Sequence, residues 1–351
     1  MMRAPSSFAV VVRRRDGSLH VRERGIGAGP RGAARWPLVR GVASLVESLR
    51  LGSEALRFSA DQLEKDWLAG VTPGTGLLGA VGLALVSMTS RADGEGASGA
   101  SSERSRAATW MVLAVAVVFF IALPQAAAAG IDHALGLGLP VQSGAFQAIT
   151  GLFKLAIVIG YLLAIRRIPD IRRVFQYHGA EHKTISTYEA GEALTVENAR
   201  RKTTMHPRCG TTFLVMVALV SILVFMIVGA VLPRIRTGGA LLDNVAFFAE
   251  KLPFLPLIAA FTFELQRVFA RYCTTGPLRA LLWPGFMVQR ITTAEPSDDQ
   301  LEVALASLRV TLFREHGRIG CAGDGDVAFP SYGALVEAET LRIGTPMSAT
   351  G

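Results

Sequence analysis

Three of the six histidines, His178, His182 and His206, lie in one stretch that ends at Cys209. In YHGAEHK, His178 and His182 are four residues apart, which on a helix stacks both imidazoles on one face, one turn from each other. Glu181 points near the same face. The string then has the H-x-x-E-H form in which two histidines bind zinc and the glutamate handles a proton. HPRCG adds His206 and Cys209 three apart, with Pro207 and Gly210 holding a tight turn. Imidazole and thiolate are borderline-soft ligands that suit zinc and, less exclusively, iron, cobalt or nickel. The reading is a divalent-metal site, zinc first and iron second, with ligands His178, His182, His206 and Cys209 and with Glu181 as the catalytic group. If all four side chains bind, the site is closed and structural. If three bind, water takes the fourth position and becomes a nucleophile. A histidine pair four apart also arises on plain surfaces and in hydrogen-bonded cores, so a non-metal polar cluster is the competing reading.

Outside this stretch, Glu264 in FTFELQRVFARY falls near the end of an apolar segment, where an ionisable side chain needs a partner or a polar cavity. It is read either as a pair with Arg267 or as a carboxylate turned toward the histidines, an additional ligand. Lys154, deeper in another apolar segment, is a cavity lysine or a partner for Glu264. YEAGEALTVENARRK reads as a solvated helix-turn-helix, with Glu189 or Glu192 as further ligand candidates. Cys273 and Cys321 have no neighbouring histidine and read as packing residues.

The elements that must position these groups are apolar. Half of the 351 residues are hydrophobic, 18% are charged, and mean hydropathy is +0.38, against a charged share of about a quarter in ordinary globular chains. Four segments have the length to cross a bilayer: Trp110 to Ala129, Ala145 to Ile165, Thr211 to Leu232 and about Leu252 to Phe269. The loop carrying IRRIPDIRRVFQYHGAEHK is rich in arginine, whereas GIDHALGLGLPVQSG carries no lysine or arginine, which puts the histidine loop on the cytoplasmic side. Arg234 and Arg236, on the opposite side, run against that asymmetry. The net charge of +8 follows this topology, and no interleaved aromatic platform accompanies the arginines, so nucleic-acid binding is excluded. Three cysteines are no disulfide framework, and MMRAPSSFAVVVRRRDG has no signal-peptide core.

The fold class expected is mainly α: a polytopic membrane protein with about four transmembrane helices, a small N-terminal β-hairpin and amphipathic helix, and a cytoplasmic C-terminal helix. Phe8 to Arg13 and Leu19 to Arg24 form the hairpin around Asp16-Gly17. Val39, Val42, Val46 and Leu49 line one face of the amphipathic helix, which lies on the membrane surface or packs on the bundle. Ser297 and Gln300 form the reciprocal cap of a soluble helix whose stripe is Leu301, Leu305, Leu308 and Leu312. The organisation expected is a cytoplasmic segment 1–73, an interfacial apolar segment and flexible linker 74–109, a transmembrane bundle 110–270 containing the His/Cys loop 166–210, a cytoplasmic helical segment 271–321 and a flexible tail 322–351. The protein is placed in the inner (plasma) membrane as a multi-pass protein with both termini cytoplasmic, its partners being the lipid bilayer and an unknown substrate or protein.

MMRAP, PLVRG, GSEAL, YHGAEHKTI, YEAGEALTVENAR, HPRCGTTF and PGFMVQRITTAEPSDDQLEVAL together resemble the YqhQ-like bacterial membrane proteins, a family of unknown function sometimes labelled predicted metal-dependent enzymes. The resemblance covers most of residues 1–310, without the Gly/Ser-rich linker at 91–107. It implies four spans, and metal binding at the positions of His178, Glu181, His182, His206 and Cys209. Family members carry a glycine-rich stretch leading into the MMRAP segment, so a native N-terminus upstream of Met1 is an expectation. Two functions follow: a membrane metal-dependent hydrolase in which Glu181 activates a metal-bound water, or a non-catalytic scaffold or assembly factor with a structural site. A transporter is disfavoured by four spans without a visible repeat.

Overall fold

The computed structural model describes residues 1–26, 36, 38–68, 122–231, 246–247, 249–273, 277–315 and 326–343. Its helices are α1 (Val39–Leu68), α2 (Leu123–Leu135), α3 (Gly144–Ile165), α4 (Pro169–Glu189), α5 (Val196–Arg200), α6 (Gly210–Val231), α7 (Phe254–Tyr272), α8 (Trp283–Thr292), α9 (Asp298–Glu315) and α10 (Tyr332–Ile343). Its strands are β1 (Met2–Arg3), β2 (Ser7–Arg13), β3 (Leu19–Gly25) and β4 (Asp326–Phe329).

The expected hairpin is β2 and β3. Gly17 takes φ +87°, which a side chain would resist, and the Asp16 carboxylate accepts the Ser18 N–H at 2.9 Å. The sheet is larger than a hairpin: β1 and β4 flank it in the antiparallel order β1-β2-β3-β4. Period-two alternation gives it two apolar faces. Phe8 and Val10 cover Leu51, Ala55 and Phe58 of α1, while Ala9, Val11, Leu19 and Val21 cover Val303, Ala306 and Val310 of α9. The opposite flank of α9, Leu301, Leu305, Leu308 and Leu312, packs on Met2, Ala180 of α4 and Ala199 of α5. α9 is therefore a central helix with two buried faces, not a one-striped helix docked on a surface. Half of the expected reciprocal cap is present, Gln300 Oε1 accepting the Ser297 N–H at 2.9 Å, while the Gln300 N–H donates to the Ser297 backbone carbonyl at 3.1 Å. Residues 326–343, part of the stretch read as a tail, form β4 and α10.

Among the described residues two helices are long and apolar enough to cross a membrane, α3 along its whole length and α6 over Gly210–Gly229. They pack directly: a side chain on Gly151 would come within 2.4 Å of Ile222, the small-residue contact that brings apolar helices together. Leu152 and Leu163 of α3, and Leu214, Leu223 and Ile227 of α6, are exposed on their outer faces. α7 covers the fourth expected span but carries Glu264, Arg267 and Arg271. Of the first expected span only the end is seen, running into α2. The rest of it, the 74–109 segment, Arg234, Arg236 and Cys321 lie outside the described residues. The described residues thus form a mainly helical protein with a small N-terminal antiparallel sheet and two helices apolar enough to span a membrane.

Candidate functional site

α4 is helical through YHGAEHK because no proline or glycine pair interrupts it after Pro169, which opens the helix where its missing N–H is not needed. The four-residue spacing does as expected: the His178 and His182 rings lie edge to face with centroids 4.4 Å apart. Gly179, between them, lets α4 approach the 293–297 segment. A Cβ there would lie 2.3 Å from the Ala294 carbonyl oxygen, and the Ala294 N–H donates to Phe175 O at 2.9 Å.

The third group arrives from sequence 31 residues away. Cys209 immediately precedes α6, and His178 Nε2 lies 3.1 Å from its sulfur. One nitrogen from each of His178 and His182, together with Cys209 Sγ, lie within 4.8 Å of one another, and His182 and Cys209 are buried. Both histidines are held by their other nitrogen. His178 Nδ1 donates to the Thr292 carbonyl at 2.9 Å, and His182 Nδ1 donates to the Thr204 carbonyl. That choice of donor fixes the tautomer and leaves Nε2 of each ring available to the cluster.

His206 is close but differently engaged. Its ring centroid lies 5.9 Å from that of His182. Its Nδ1 accepts the Arg208 N–H at 3.3 Å and its Nε2 donates to Glu189 Oε2 at 3.1 Å, so both nitrogens are occupied. Glu189 also receives Arg208 Nη1 at 2.6 Å. Glu181 lies apart from the three-ligand group, with Oε1 3.4 Å from the Met1 amino nitrogen. Glu264 is bound in a two-pronged pair to Arg40 of α1, neither to Arg267 nor at the histidines. Glu192 pairs with Lys202 and Glu197 with Arg201, as a solvated helix-turn-helix should.

Three positioning groups escaped sequence reading. Gln289 of α8 is fully buried; its Nε2 donates to His206 O at 2.7 Å and to Thr212 Oγ1 at 2.6 Å, while its Oε1 accepts the His206 N–H at 2.9 Å. It splints the HPRCG turn to α6. The Thr204 and Thr292 carbonyls orient the histidines, and backbone acceptors leave no residue-type signal. Gln289 did leave one, a lone amide in the apolar string GFMVQRI.

Charge follows from this packing. Burial pushes the Cys209 thiol up, but hydrogen bonds and charge from His178 and His182 outweigh it and bring the pKa down to about 5. His178 loses basicity to burial and more than regains it from the Cys209 sulfur and the Thr292 carbonyl, so it is raised. Burial pulls His206 below its ordinary value, against Glu189. The site thus combines a thiolate, two oriented imidazoles and a neighbouring neutral histidine backed by a carboxylate. The donor set fits a divalent ion: bonds of roughly 2.0–2.3 Å require ligand atoms about 3.3–3.8 Å apart in a tetrahedron, within reach of the observed cluster by small side-chain shifts.

Fold and site define a mainly helical class of protein, with two helices apolar enough to span a membrane and a His-His-Cys cluster where α4 meets the start of α6. Residues 36–313 match the family described as "Protein of unknown function (DUF1385)", and the chain belongs to that family. It is 36% identical over 165 residues to "Uncharacterized protein YqhQ" of Bacillus subtilis (strain 168), a match covering 47% of this chain and 48% of that relative. The chain thus matches about half the length of the curated relative, in keeping with the YqhQ-like resemblance carried by its motifs. No solved structure matches the chain.

Proposed function

We propose that the chain is a multi-pass inner-membrane protein that holds a divalent metal, zinc before iron, between His178, His182 and Cys209 on the cytoplasmic side, and that it is a hydrolase. The observation that carries the reading is the orientation of the two imidazoles. Each spends Nδ1 on a backbone carbonyl and keeps Nε2 beside the sulfur, the arrangement by which metal-binding histidines are held. Three ligands leave one position open, and a bound divalent ion supplies there a Lewis acid that brings the pKa of water to about 7. The protein's own proton-handling group is then His206, neutral and backed by Glu189, with Glu181 the second candidate. The arginine asymmetry of the loops supports a cytoplasmic site and cytoplasmic termini, and the length and apolarity of the four segments support four spans.

The second reading is a non-catalytic scaffold in which the cluster staples α4 to the start of α6. Burial of His182, Cys209 and His206 favours it.

Elemental analysis of detergent-purified protein, beside His178→Ala/His182→Ala and Cys209→Ser variants checked for folding by circular dichroism, tests the metal. Near-stoichiometric zinc or iron, lost in both variants, is expected; a cobalt-loaded sample should show a thiolate charge-transfer band absent from Cys209→Ser. A folded wild type that takes up no metal without chelators, even after reconstitution, overturns the site.

A further inference from the structure

Residues 166–173 read RRIPDIRR, four arginines against the single carboxylate of Asp170. They turn the chain from α3 into α4. The Arg166 N–H reaches Leu162 O at 3.0 Å, and the Arg167 N–H reaches Ala164 O at 3.2 Å. The turn folds the first turn of α4 beside the end of α3, and Leu163, Arg166, Arg167 and Arg172 line an open pocket of about 470 Å³. Arg166 is anchored by donating to the Arg290 carbonyl at 2.5 Å.

The charge in this pocket is uncompensated. Among the described residues neither Arg167 nor Arg172 has an ion-pair partner, and Asp170 forms no ion pair with either. Several other arginines do have carboxylate partners: Arg200 with Asp298, Arg201 with Glu197, Arg208 with Glu189. Three guanidiniums around one concavity repel each other until an anion sits between them, and planar N–H forks suit phosphate oxygens.

The remaining wall is apolar and leads along the outer face of α3. Leu152, Ala156, Ile159 and Leu163 follow one another at helical spacing; all but Ile159 are exposed, and Ile159 is half-exposed. From Leu152 to Leu163 the helix rises about 16 Å, close to half of a roughly 30 Å hydrocarbon core. We propose that this pocket binds the phosphate headgroup of an anionic lipid, whose acyl chain lies along that row. The inference stands independently of the metal site.

The test uses the full chain in detergent, titrated with mixed micelles carrying phosphatidylglycerol or phosphatidylcholine and read by native mass spectrometry. Saturable phosphatidylglycerol binding is expected, with phosphatidylcholine bound at least tenfold more weakly. Two arginines at about 1 kcal/mol each correspond to about 30-fold weaker phosphatidylglycerol binding in Arg167→Gln/Arg172→Gln. Arg200→Gln/Arg201→Gln, an equal loss of two charges outside the pocket, should bind as wild type does. Unchanged binding by Arg167→Gln/Arg172→Gln overturns the proposal, as does equal loss in Arg200→Gln/Arg201→Gln. Displacement of phosphatidylglycerol by millimolar inorganic phosphate at equal affinity overturns the lipid assignment and marks a free-anion pocket. Metal content of Arg167→Gln/Arg172→Gln should stay at the wild-type value, which separates this test from that of the metal reading.

Discussion

At the scale of single residues, the chemistry centres on one sulfur. Cys209 is buried, yet it accepts the Thr211 N–H at 3.4 Å, sits 3.1 Å from Thr211 Oγ1 and faces His178. It also stands at a helix N-terminus, where the dipole favours a thiolate. Its acidity, about 5, lies below the roughly 8.5 of a free thiol. A depressed acid stabilises the fold fully above the unfolded value, and that contribution disappears as pH falls through about 5. In chelator-treated protein, thiolate absorbance should therefore titrate with a midpoint near 5, and His178→Ala should move it up by more than a unit. A midpoint above 8 in the wild type would remove the electrostatic account. The proton-handling assignment separates in the same way. Glu189→Gln should leave metal content intact and abolish function in a complementation assay, because His206 loses its backing carboxylate. Glu181→Gln, at a carboxylate outside the ligand group, should have the smaller effect; the reverse order would restore Glu181 to the role its place in H-x-x-E-H implied.

At the scale of elements, what sequence spacing revealed was local. Helical phase predicted the stacking of His178 on His182, because both depend on one helix and nothing else. The partner of Glu264 was illegible, because Arg40 is 224 residues away and no periodicity links α1 to α7. The pair works with a close approach: a Cβ on Gly41 would lie 3.1 Å from the Ala260 carbonyl oxygen. Glu264→Gln should therefore leave metal content unchanged while exposing α1 to limited proteolysis. Metal loss in that variant would make Glu264 a ligand after all. His206 was grouped with the ligands on residue type, and only the backbone turn at Arg208 and the end of α4 decide where its nitrogens point. Gly179 makes the sharpest element-level test. Its missing side chain lets α4 meet the backbone at Ala294, a contact with no flexible atom to yield, so Gly179→Ala should lower stability by about 1–3 kcal/mol. Because that segment continues directly from Thr292 at the end of α8, whose carbonyl orients His178, metal affinity should fall with it. A thermal-shift measurement showing an unchanged melting temperature would mean the two segments are not so close.

At the scale of the whole molecule, the polar half is stitched from both ends of the chain. β2 and β3 cannot bury two faces without α1 on one side and α9 on the other, and Ser7 Oγ reaches Thr311 O at 2.9 Å across 304 residues. The leucine stripe of α9 was visible at heptad-like spacing, but Val303, Ala306 and Val310 were not seen as a second face, since small and β-branched residues between charges resemble a solvated side. β4 was hidden for a similar reason: DVAF is too short to alternate convincingly, and its place is fixed by pairing with β3. This arrangement makes the topology testable as one proposition. The loop between α2 and α3 and the helix-turn-helix after α4 lie at opposite ends of α3, with α4 continuing the polar half. If α3 crosses the membrane, they face opposite compartments. In intact cells, Leu137→Cys should react with a membrane-impermeant maleimide above the parent background, whereas Glu197→Cys should react only after lysis. Both are exposed positions, so silence would report the barrier, not burial. Labelling of both in intact cells would deny α3 its crossing and return the apolar faces of α3 and α6 to a protein interface. Labelling of Glu197→Cys alone would keep the crossing but invert the orientation read from the arginines, placing the histidine cluster outside the cell.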